Sequence, residues 1–509
     1  MHLATGNSFS GLRFSTSIGK ESECKRCEQI DIFVRVQYNV LHVFRLKFGI
    51  CEGIIHMNNT LTLLLGKAIK KAANLAGKEG SDFTGRLIAR LEPDAKYKIS
   101  KPEKNICVSG TNGKTTTVNI LADSVRLMEG KVCSNFHGAN LEHGVLGALL
   151  DSASLKNTQP KVGVFEVDEL STYRICDFLK PSTFTITNLF QDSFERNANT
   201  GYIKKRLSFG IPKDVKLILN ASDAISAYIR PDNERVYFDV LPLSFETQCL
   251  DSKIQDLIYC PHCGEKVHWT FKRYHHLGHY HCDCGNFSNP EATYFVYDAD
   301  REKRILYVQD HDQKVTLHAL GSSIESMYNQ IAAYATLREN GYSYEQISSA
   351  MAQIELTKER HQESHHADLH FYSIVTKGYN PIAVTRNLDA IRKNPNRKEI
   401  IWIIEDYWEK KTPMRTPGWL FAVDFDYLDE TVSHFIILRS RNTYEIKLSC
   451  LLDGVPPEKI VVVDRVEDIN SILDPSVKDI YLLHDFGPPW TTIAQKFEKT
   501  ILKERMERS

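Results

Sequence analysis

A glycine-rich loop with the residue types of a phosphate site spans residues 110–116, Gly-Thr-Asn-Gly-Lys-Thr-Thr. It follows an apolar stretch at 106–108 and precedes residues 118–128, whose apolar positions have helical spacing. In a loop between a strand and a helix, backbone N–H groups point at phosphate oxygens, and the helix N-terminus adds partial positive charge. The sequence therefore predicts that this loop binds the phosphates of a nucleotide.

Two side chains of the loop have expected roles. We expect the Lys114 ammonium to reach the β- and γ-phosphates and the Thr115 hydroxyl to bind Mg²⁺. Val108 stands where the general P-loop pattern has its first glycine, so the match is to a more compact form of the loop. The nucleotide-binding residues predicted from the loop are Gly110, Thr111, Asn112, Gly113, Lys114, Thr115 and Thr116.

Polar residues stand at the ends of three further predicted strands. Glu166, Asn188 and Asn220 each end or follow a short apolar stretch. Strands and helices alternate from 104 to about 240, which predicts a parallel sheet with ligands at the carboxyl ends of its strands. We expect Glu166 to be a second Mg²⁺ ligand, because Mg²⁺ prefers hard oxygen ligands. The two asparagines are expected to line the nucleotide cleft.

The neighbouring polar residues leave alternatives open. Asp168 or Glu169 could hold a water that the metal coordinates, or both could belong to an exposed strand end. Asn188 could cap the turn that follows it, and Asp223 could cap a helix at 224–229 rather than contact ATP.

Later residues could complete the nucleotide site. Asn329 lies within a predicted helix at 324–338, where propensity disfavours asparagine, and this favours a role in nucleotide binding. Arg360 lies between two predicted domains and could contact the γ-phosphate, or it could be a surface arginine. A solvated linker is the interpretation of the local histidine cluster His361, His365, His366 and His370.

Four of the twelve cysteines cluster with the spacing of metal ligands. The first pair lies in a Cys-Pro-His-Cys-Gly turn typical of zinc knuckles, and the second pair lies in a turn one residue shorter. A structural zinc site is predicted, in which His279 or His281 could replace one thiolate; a metal-free remnant is the alternative. The predicted zinc ligands are Cys260, Cys263, Cys282 and Cys284.

The bulk composition is that of a soluble enzyme with two to four domains. The 509 residues carry a formal net charge of −1, which gives no electrostatic basis for binding nucleic acid. No apolar stretch of about 18 residues occurs, so no transmembrane segment is predicted. The cysteines are not spaced as a disulfide scaffold, which predicts a reducing, cytoplasmic setting.

The N-terminal residues 1–56 fit poorly with the rest of the chain. They lack the apolar core and the cleavage site of a signal peptide. A strong helical pattern begins just after Met57. Met57 could therefore be the natural start, with 1–56 an extension of little function.

From about Met57 to its end, the sequence resembles the MurT family. These are the Mur-ligase-like subunits of lipid II isoglutaminyl synthases, which pair with the glutaminase GatD. The zinc-knuckle insert supports this resemblance, since ordinary Mur ligases and folylpolyglutamate synthetases lack it. The matching segments are 87–90, 110–115, 134–135 with 138–141, 166–169, 188–192, 219–223, 328–329 and Arg360 before Glu363.

The resemblance implies an α/β fold in two parts. A P-loop Mur-ligase central domain, with a parallel-rich sheet and an inserted zinc ribbon, is followed by a Rossmann-like α/β domain. The predicted boundaries are an extension at 1–56, an ATP-binding domain at 57–320 with the zinc-ribbon insert at about 250–290, a helix and linker at 321–366, and a C-terminal domain at 367–509.

The resemblance also implies the activity. The family activates the D-glutamate α-carboxylate of the lipid II stem peptide as an acyl phosphate and amidates it with ammonia from a GatD-like glutaminase. This implies ATP, Mg²⁺ and Zn²⁺ as cofactors, a heterodimer, and work on lipid II at the inner face of the cell membrane. Lys114 and Glu166 are the implied catalytic residues of the ligase.

One stretch departs from the family pattern, at residues 405–426. The family places there an aspartate that orients the glutaminase histidine. Asp424, followed by Phe425, is the first choice for this catalytic role, and Asp406 is the second. Two other functions stay open: an amino-acid ligase of the Mur or folylpolyglutamate type without a glutaminase, and a degenerate scaffold subunit. The intact loop and Glu166 argue against the scaffold.

Overall fold

The computed structural model describes residues 58–75, 81–135, 139–191, 199–249, 252–355, 361–376, 378–404, 417–485 and 488–508. The predicted extension at 1–56, together with Arg360 and Asp406, lies outside these residues. Residues Met57–Ser509 form one unit of the chain, within which the contacts below are described.

The described helices alternate with strands through most of the chain. The helix predicted at 118–128 begins earlier, at Lys114, directly after the glycine-rich loop. In chain order the helices are α1 Asn59–Leu75, α2 Ser81–Leu91, α3 Ala95–Lys98, α4 Lys114–Glu129, α5 Glu142–Ser152, α6 Thr172–Leu179, α7 Thr200–Gly210, α8 Ile324–Glu339, α9 Tyr344–Met351, α10 Pro381–Arg392, α11 Thr443–Leu452 and α12 Pro488–Arg508.

Nine of the described strands form a first sheet in the order β11-β10-β9-β6-β5-β4-β1-β3-β2. The strands from β2 to β9 in this order run parallel, and β10 and β11 add an antiparallel edge. Their bounds are β1 Lys104–Ser109, β2 Cys133–Ser134, β3 Val162–Glu166, β4 Thr183–Ile186, β5 Lys216–Asn220, β6 Arg235–Val240, β9 Tyr294–Asp300, β10 Ile305–Asp310 and β11 Gln313–His318, with β7 His268–Tyr274 and β8 Leu277–His281 forming a separate hairpin.

The central strands are buried on both faces, as a parallel sheet between helices requires. All five residues of β3 are buried, and so are the last five of β1. Helix α8 packs beside α4. Val118 and Leu121 of α4 lie in the same hydrophobic cluster as Ile331 and Ala335 of α8. The carboxyl ends of the strands therefore meet the glycine-rich loop on a rigid support.

The β7–β8 hairpin occupies the connection between two neighbouring parallel strands. The chain leaves the sheet at Val240, the end of β6, and returns beside it at Tyr294, the start of β9. Within the described part of this connection the hairpin is present and no helix is. The crossover of this parallel pair is therefore made by the cysteine-bearing insert.

Six described strands of the C-terminal half form a second sheet, in the order β12-β13-β17-β14-β15-β16. All neighbours are parallel except β12 and β13. The bounds are β12 His361–His366, β13 Leu369–Val375, β14 Lys398–Ile403, β15 Val432–Leu438, β16 Ile460–Val463 and β17 Asp479–His484.

The prediction of a solvated linker for the histidine cluster is wrong. Residues 361–366 are a strand that pairs with 369–374. An edge strand pairs on one side only and exposes much of its surface, so a polar sequence can form it. His365 and His366 are both exposed, which the linker prediction had required.

Within the described residues, none of the helices is both long enough and apolar enough to cross a membrane.

Candidate functional site

The glycine-rich loop has a conformation that only glycine fits at two positions. Gly110 has φ 131° and Gly113 has φ 83°, both in the region that L side chains rarely adopt. A Cβ on Gly110 would lie 2.2 Å from Oγ1 of Thr187, and one on Gly113 would lie 2.1 Å from Oδ1 of Asn329. The loop thus lies against two polar side chains that belong to other elements.

Asn188 holds the loop in shape. The Asn112 N–H donates to Oδ1 of Asn188 (2.9 Å), and the Asn188 amide donates back to the Asn112 carbonyl (3.1 Å). The Thr111 N–H donates to the Asn188 carbonyl (2.9 Å). The Asn188 amide group is therefore engaged with the loop itself. Hydrogen bonds within the chain thus hold the loop in its shape, which reduces the ordering that binding requires.

The loop lysine is paired with an acidic residue. Lys114 Nζ lies 2.8 Å from Oε1 of Glu169, and it also donates to the Gly110 carbonyl. The exposed fractions of the two side chains are 11% and 3%. Asp168 is equally buried, so the alternative of an exposed strand end is wrong for both acidic residues. The sequence left the roles of both Asp168 and Glu169 undecided; their position two and three residues after the end of β3 was the only indication.

Glu166 offers a buried carboxylate oxygen without a donor. Its side chain is 2% exposed, and Oε1 accepts a hydrogen bond from the Asn140 amide (3.0 Å). Among the described residues, Oε2 has no hydrogen-bond partner. Val108, the residue before Ser109 at the end of β1, pairs with Glu166 across the sheet. An unpaired buried carboxylate oxygen is costly unless a cation binds it, so this position fits a divalent metal ion.

Three other predicted nucleotide ligands lie in the loop or beside it. Thr115 and Thr116 are in the first turn of α4 and are partly exposed. Asn329 is buried on α8, where its Oδ1 accepts a hydrogen bond from Thr117 Oγ1 (3.4 Å) and faces Gly113. Their assignment to the nucleotide stays a prediction, as does that of Arg360, which lies outside the described residues.

The side chains of Asn220 and Asp223 form hydrogen bonds with backbone groups of the protein. The Asn220 amide donates to the Thr187 carbonyl (2.9 Å), and its Oδ1 accepts from the Ser222 N–H (3.0 Å). Asp223 Oδ1 accepts from the N–H groups of Ile225 (2.9 Å) and Ser226 (3.1 Å). These are the bonds that the capping interpretation of Asp223 predicts, although the helix is only a 3₁₀ turn at Ser226–Tyr228.

The four cysteines come together despite the short second turn. Their sulfur atoms all lie within 4.8 Å of one another, with Cys260 and Cys284 at 3.8 Å and Cys263 and Cys282 at 3.4 Å. Tetrahedral zinc with Zn–S bonds of about 2.3 Å places its sulfurs about 3.8 Å apart. The donor set therefore fits Zn²⁺.

The two turns that carry these cysteines close in the same way. In each, a glycine in the left-handed region follows the second cysteine, at Gly264 (φ 80°) and Gly285 (φ 72°). Each glycine N–H donates to the carbonyl of the first cysteine of its turn, at 3.0 Å in both cases. His279 does not replace a thiolate, since its Nε2 lies 3.2 Å from Oδ2 of Asp239.

Asp424 lies where its own segment contacts residues 252–253. Its side chain is 0% exposed. Oδ2 accepts from the Ser252 hydroxyl (2.9 Å), and Oδ1 accepts from the Lys253 N–H (2.7 Å). Burial raises the pKa of this carboxyl, although these hydrogen bonds oppose the rise. A relay to the histidine of a partner requires an accessible carboxylate, so the burial of Asp424 does not favour this role, which stays a prediction.

Comparisons with known proteins agree with this architecture. The Mur ligase middle domain matches residues 108–281, and the MurT ligase C-terminal domain matches residues 378–487. The MurT subunit of lipid II isoglutaminyl synthase (glutamine-hydrolyzing) from Staphylococcus aureus (strain N315) is 26% identical over 419 residues, which are 80% of this chain and 91% of that protein.

Two further relatives extend the comparison. The corresponding MurT subunit from Streptococcus pneumoniae (strain ATCC BAA-255 / R6) is 23% identical over 437 residues, 84% of this chain and 95% of that protein. A solved pseudomurein peptide ligase type C from Methanothermus fervidus superimposes with a TM-score of 0.57 at 20% identity, covering 81% of this chain and 80% of that one. The Mur-ligase fold and the resemblance to MurT subunits are thereby confirmed.

Proposed function

We propose that this relative of the MurT subunits is an ATP-dependent carbon–nitrogen ligase. The observation that carries the proposal is the pairing of a preformed phosphate loop with a buried, unsatisfied carboxylate oxygen on the adjacent strand. The loop presents Lys114, and the adjacent strand presents Oε2 of Glu166. A phosphate site next to a metal site is what MgATP requires.

The residues of the loop would hold the nucleotide. Backbone N–H groups from Gly110 to Thr116 would bind the phosphates, with Lys114 neutralising charge on the transferred group. Thr115 and Glu166 would hold Mg²⁺, which supplies charge neutralisation when bound. Asn188 supports the loop through its hydrogen bonds, Asn220 bonds to the carbonyl of the neighbouring Thr187, and Asn329 lines the loop from α8.

The reaction class follows from these groups. An oxygen of the substrate carboxylate attacks the γ-phosphorus, the bond to the β-phosphate oxygen breaks, and ADP leaves. The acyl phosphate then accepts the lone pair of an amine or of ammonia at its carbonyl carbon. The C–O bond to phosphate breaks, phosphate departs with the electron pair, and the nitrogen loses a proton. Phosphoryl transfer of this kind depends on positioning and electrostatics rather than on covalent help.

The names of the relatives support a particular acceptor and nitrogen source. A lipid II isoglutaminyl synthase of the glutamine-hydrolyzing type amidates lipid II with nitrogen from glutamine. We propose that this chain likewise amidates the D-glutamate α-carboxylate of a lipid II stem peptide to D-isoglutamine. A GatD-like glutaminase would supply ammonia in a heterodimer, and the reaction would take place in the cytoplasm at the inner face of the membrane.

The cysteine cluster is proposed to hold one structural zinc ion. The four sulfur atoms lie within 4.8 Å of one another, and the two closed turns position them. When bound, zinc would join the two turns and so contribute to folding.

The position of Asp424 favours a second candidate function. Its burial argues against the first choice for the glutaminase relay, and Asp406 lies outside the described residues. An amino-acid ligase of the Mur or folylpolyglutamate type needs no such relay. It would use the same loop, the same metal site and the same acyl phosphate, with an amino group as the nucleophile.

One experiment separates these functions. The purified chain is assayed for ADP release and product mass with lipid II and three nitrogen sources: ammonium, glutamine plus a GatD-like glutaminase, and a mixture of amino acids. We expect amidation, a mass change of one NH replacing one O, with ammonium and with the glutaminase pair. Addition of an amino acid instead would establish the second candidate. No nucleotide turnover under any of these conditions would overturn both.

A further inference from the structure

The turn between β7 and β8 contains a buried histidine that lies between two carboxylates. His276 is 0% exposed, with Nδ1 3.0 Å from Oδ2 of Asp256 and Nε2 3.3 Å from Oδ1 of Asp223. Burial alone would lower the pKa of this imidazole, but its hydrogen bond to Asp256 and its ion pairs with both carboxylates outweigh burial and raise the pKa to about 9. His276 is therefore an imidazolium ion at neutral pH.

Asp223 links this histidine to a second segment. Its Oδ2 accepts a hydrogen bond from the Leu189 N–H (2.6 Å). The phenyl ring of Phe190 also packs on His276, with ring centroids 4.5 Å apart. The hairpin thus contacts two consecutive residues of the chain after β4, one through a carboxylate and one directly.

The same short segment forms the support of the glycine-rich loop. Asn188, on one side of Leu189, bonds to Thr111 and Asn112 through three hydrogen bonds. Phe190, on the other side, donates its N–H to Oγ1 of Thr111 (2.9 Å), and its carbonyl accepts from that hydroxyl (3.0 Å). The residue that Asp223 fixes therefore lies between the two residues that hold the loop.

We propose that His276 is a positioning residue of the nucleotide site, which holds Asp223 and thereby fixes residues 188–190 against the glycine-rich loop. The cysteine-bearing insert would then act on nucleotide binding as well as on stability. The inference rests on the proposed function only in taking the loop as a nucleotide site.

The charge of His276 is needed because its partners repel each other. Two buried carboxylates that face one site repel each other unless a cation lies between them or one of them takes up a proton. A neutral side chain of the same size would leave Asp223 and Asp256 facing each other. The other charged groups that act on this cluster are Lys204 toward Asp223, Lys272 toward Asp256, His275 beside His276, and Arg386 toward His275.

The first test needs no nucleotide. His276→Gln is compared with His268→Gln, the same change on an exposed histidine of the same hairpin, whose side chain is 55% exposed. Hydrogen–deuterium exchange is measured on peptides that cover 108–114 and 186–191 of the full chain. We expect exchange at Leu189 and Asn112 to be at least tenfold faster in His276→Gln only, because their acceptors are released. Parent-like exchange in that variant would overturn the proposal.

The second test measures the nucleotide. The Kd of a non-hydrolysable ATP analogue with Mg²⁺ is expected to rise about tenfold in His276→Gln. The zinc content of this variant and the Kd of the control variant should both be unchanged. In the parent, the Kd should rise as pH passes about 9, where His276 loses its proton, and it should stay flat in the variant. An unchanged Kd in the variant, beside a parent that binds, would overturn the proposal.

Two further outcomes keep the inference distinct from the proposed function. If the parent does not bind the analogue, the proposed function fails, and the exchange rates alone decide the role of His276. If His276→Gln does not fold, Asp256→Asn replaces it. That change removes one of the two carboxylates that raise the pKa of His276 and leaves Asp223 in place. It should move the pH at which exchange at Leu189 increases to a lower value; an unmoved pH would contradict the proposal.

Discussion

Lys114 Nζ and Glu169 Oε1 lie 2.8 Å apart in a largely buried ion pair at the mouth of the glycine-rich loop. The same ammonium donates to the Gly110 carbonyl. The loop cation is thus neutralised by a carboxylate of the chain itself, which lowers the cost of its burial. A phosphate group that reached Lys114 would have to replace Glu169 as its partner.

Replacement of this lysine should abolish turnover. Lys114→Ala removes the charge that stabilises the transferred phosphoryl group, an effect typically worth about 100- to 1,000-fold in turnover. The measurement is ADP release, with thermal unfolding to show that the variant is folded. Lys131→Ala, at an exposed lysine just beyond α4, is the control. Turnover within a few-fold of the parent in Lys114→Ala would contradict the assignment of the loop.

Glu166→Gln should separate metal binding from stability. It keeps an oxygen for the Asn140 amide and removes a buried negative charge whose second oxygen has no partner. We expect the Mg²⁺ concentration for half-maximal turnover to rise at least tenfold, while the melting temperature stays the same or increases. Glu103→Gln, at an exposed position before β1, is the control. A variant that melts early with parent-like Mg²⁺ dependence would show that Glu166 is structural.

Purified protein should contain about one zinc ion per chain. Cys263→Ser should remove the zinc and lower the melting temperature, because a structural ion contributes its binding energy to folding. Metal analysis and thermal unfolding are the measurements. Cys176→Ser, a buried thiol outside the cluster, should keep the zinc. Absence of zinc in protein prepared without chelator would refute the site.

Asp424→Asn distinguishes a structural role, in the contact with residues 252–253, from a role in orienting a glutaminase histidine. The structure leads us to expect a lower melting temperature and equal losses of amidation with glutamine and with ammonium, because Ser252 and Lys253 lose their charged acceptor. Thermal unfolding and the two amidation rates are the measurements. A loss confined to glutamine-dependent amidation would instead support the relay role that the sequence suggested.

The two adjacent histidines at the tip of the β7–β8 hairpin should make the stability of the protein depend on pH in opposite directions. Burial lowers the pKa of His275 to about 4, while His276 is raised to about 9. The ordinary value, taken for the unfolded chain, is about 6.5. His276 therefore contributes stability that is complete below about 6.5 and is lost as pH rises through 9. His275 contributes stability above about 6.5 that is lost as pH falls through 4.

Unfolding by denaturant across this range measures both effects. His276→Gln should flatten the alkaline side of the stability profile, and His275→Gln should flatten the acidic side. The same slope on the alkaline side in parent and His276→Gln would show that this imidazole is not held charged.

Strands with an apolar core were predictable from the sequence, and polar edge strands were not. The apolar stretch of the sequence at 460–463 coincides with β16, and the apolar stretches at 371–375 and 480–483 fall within β13 and β17. The strand Gln313–His318 has only two apolar residues, so its pairing with β10 rather than its own sequence makes it a strand. The predicted domain boundaries stay predictions.

The loop and the cysteine cluster were predictable because their residues are close in sequence and chemically distinctive. The support of the loop was not, because it depends on contacts between distant residues. Asn188 bonds to Asn112 across 76 positions, and His276 meets Asp223 only once the hairpin lies on the end of β5. Nothing in the local sequence of a histidine indicates a partner brought to it by the fold.

The crossover between Val240 and Tyr294 bears on the order in which the protein assembles. In most parallel pairs a helix forms locally and shortens the return path, but here the described part of that path has only the cysteine hairpin. Closing a flexible connection costs entropy that grows with its length. Metal capture would shorten this connection and so reduce the entropy cost of bringing β6 and β9 together. The outer strands β9 to β11 would therefore join the sheet late, after the metal has bound. In metal-depleted solution the nascent chain would then present an unpaired β6 edge, the kind of surface from which strand exchange between chains begins.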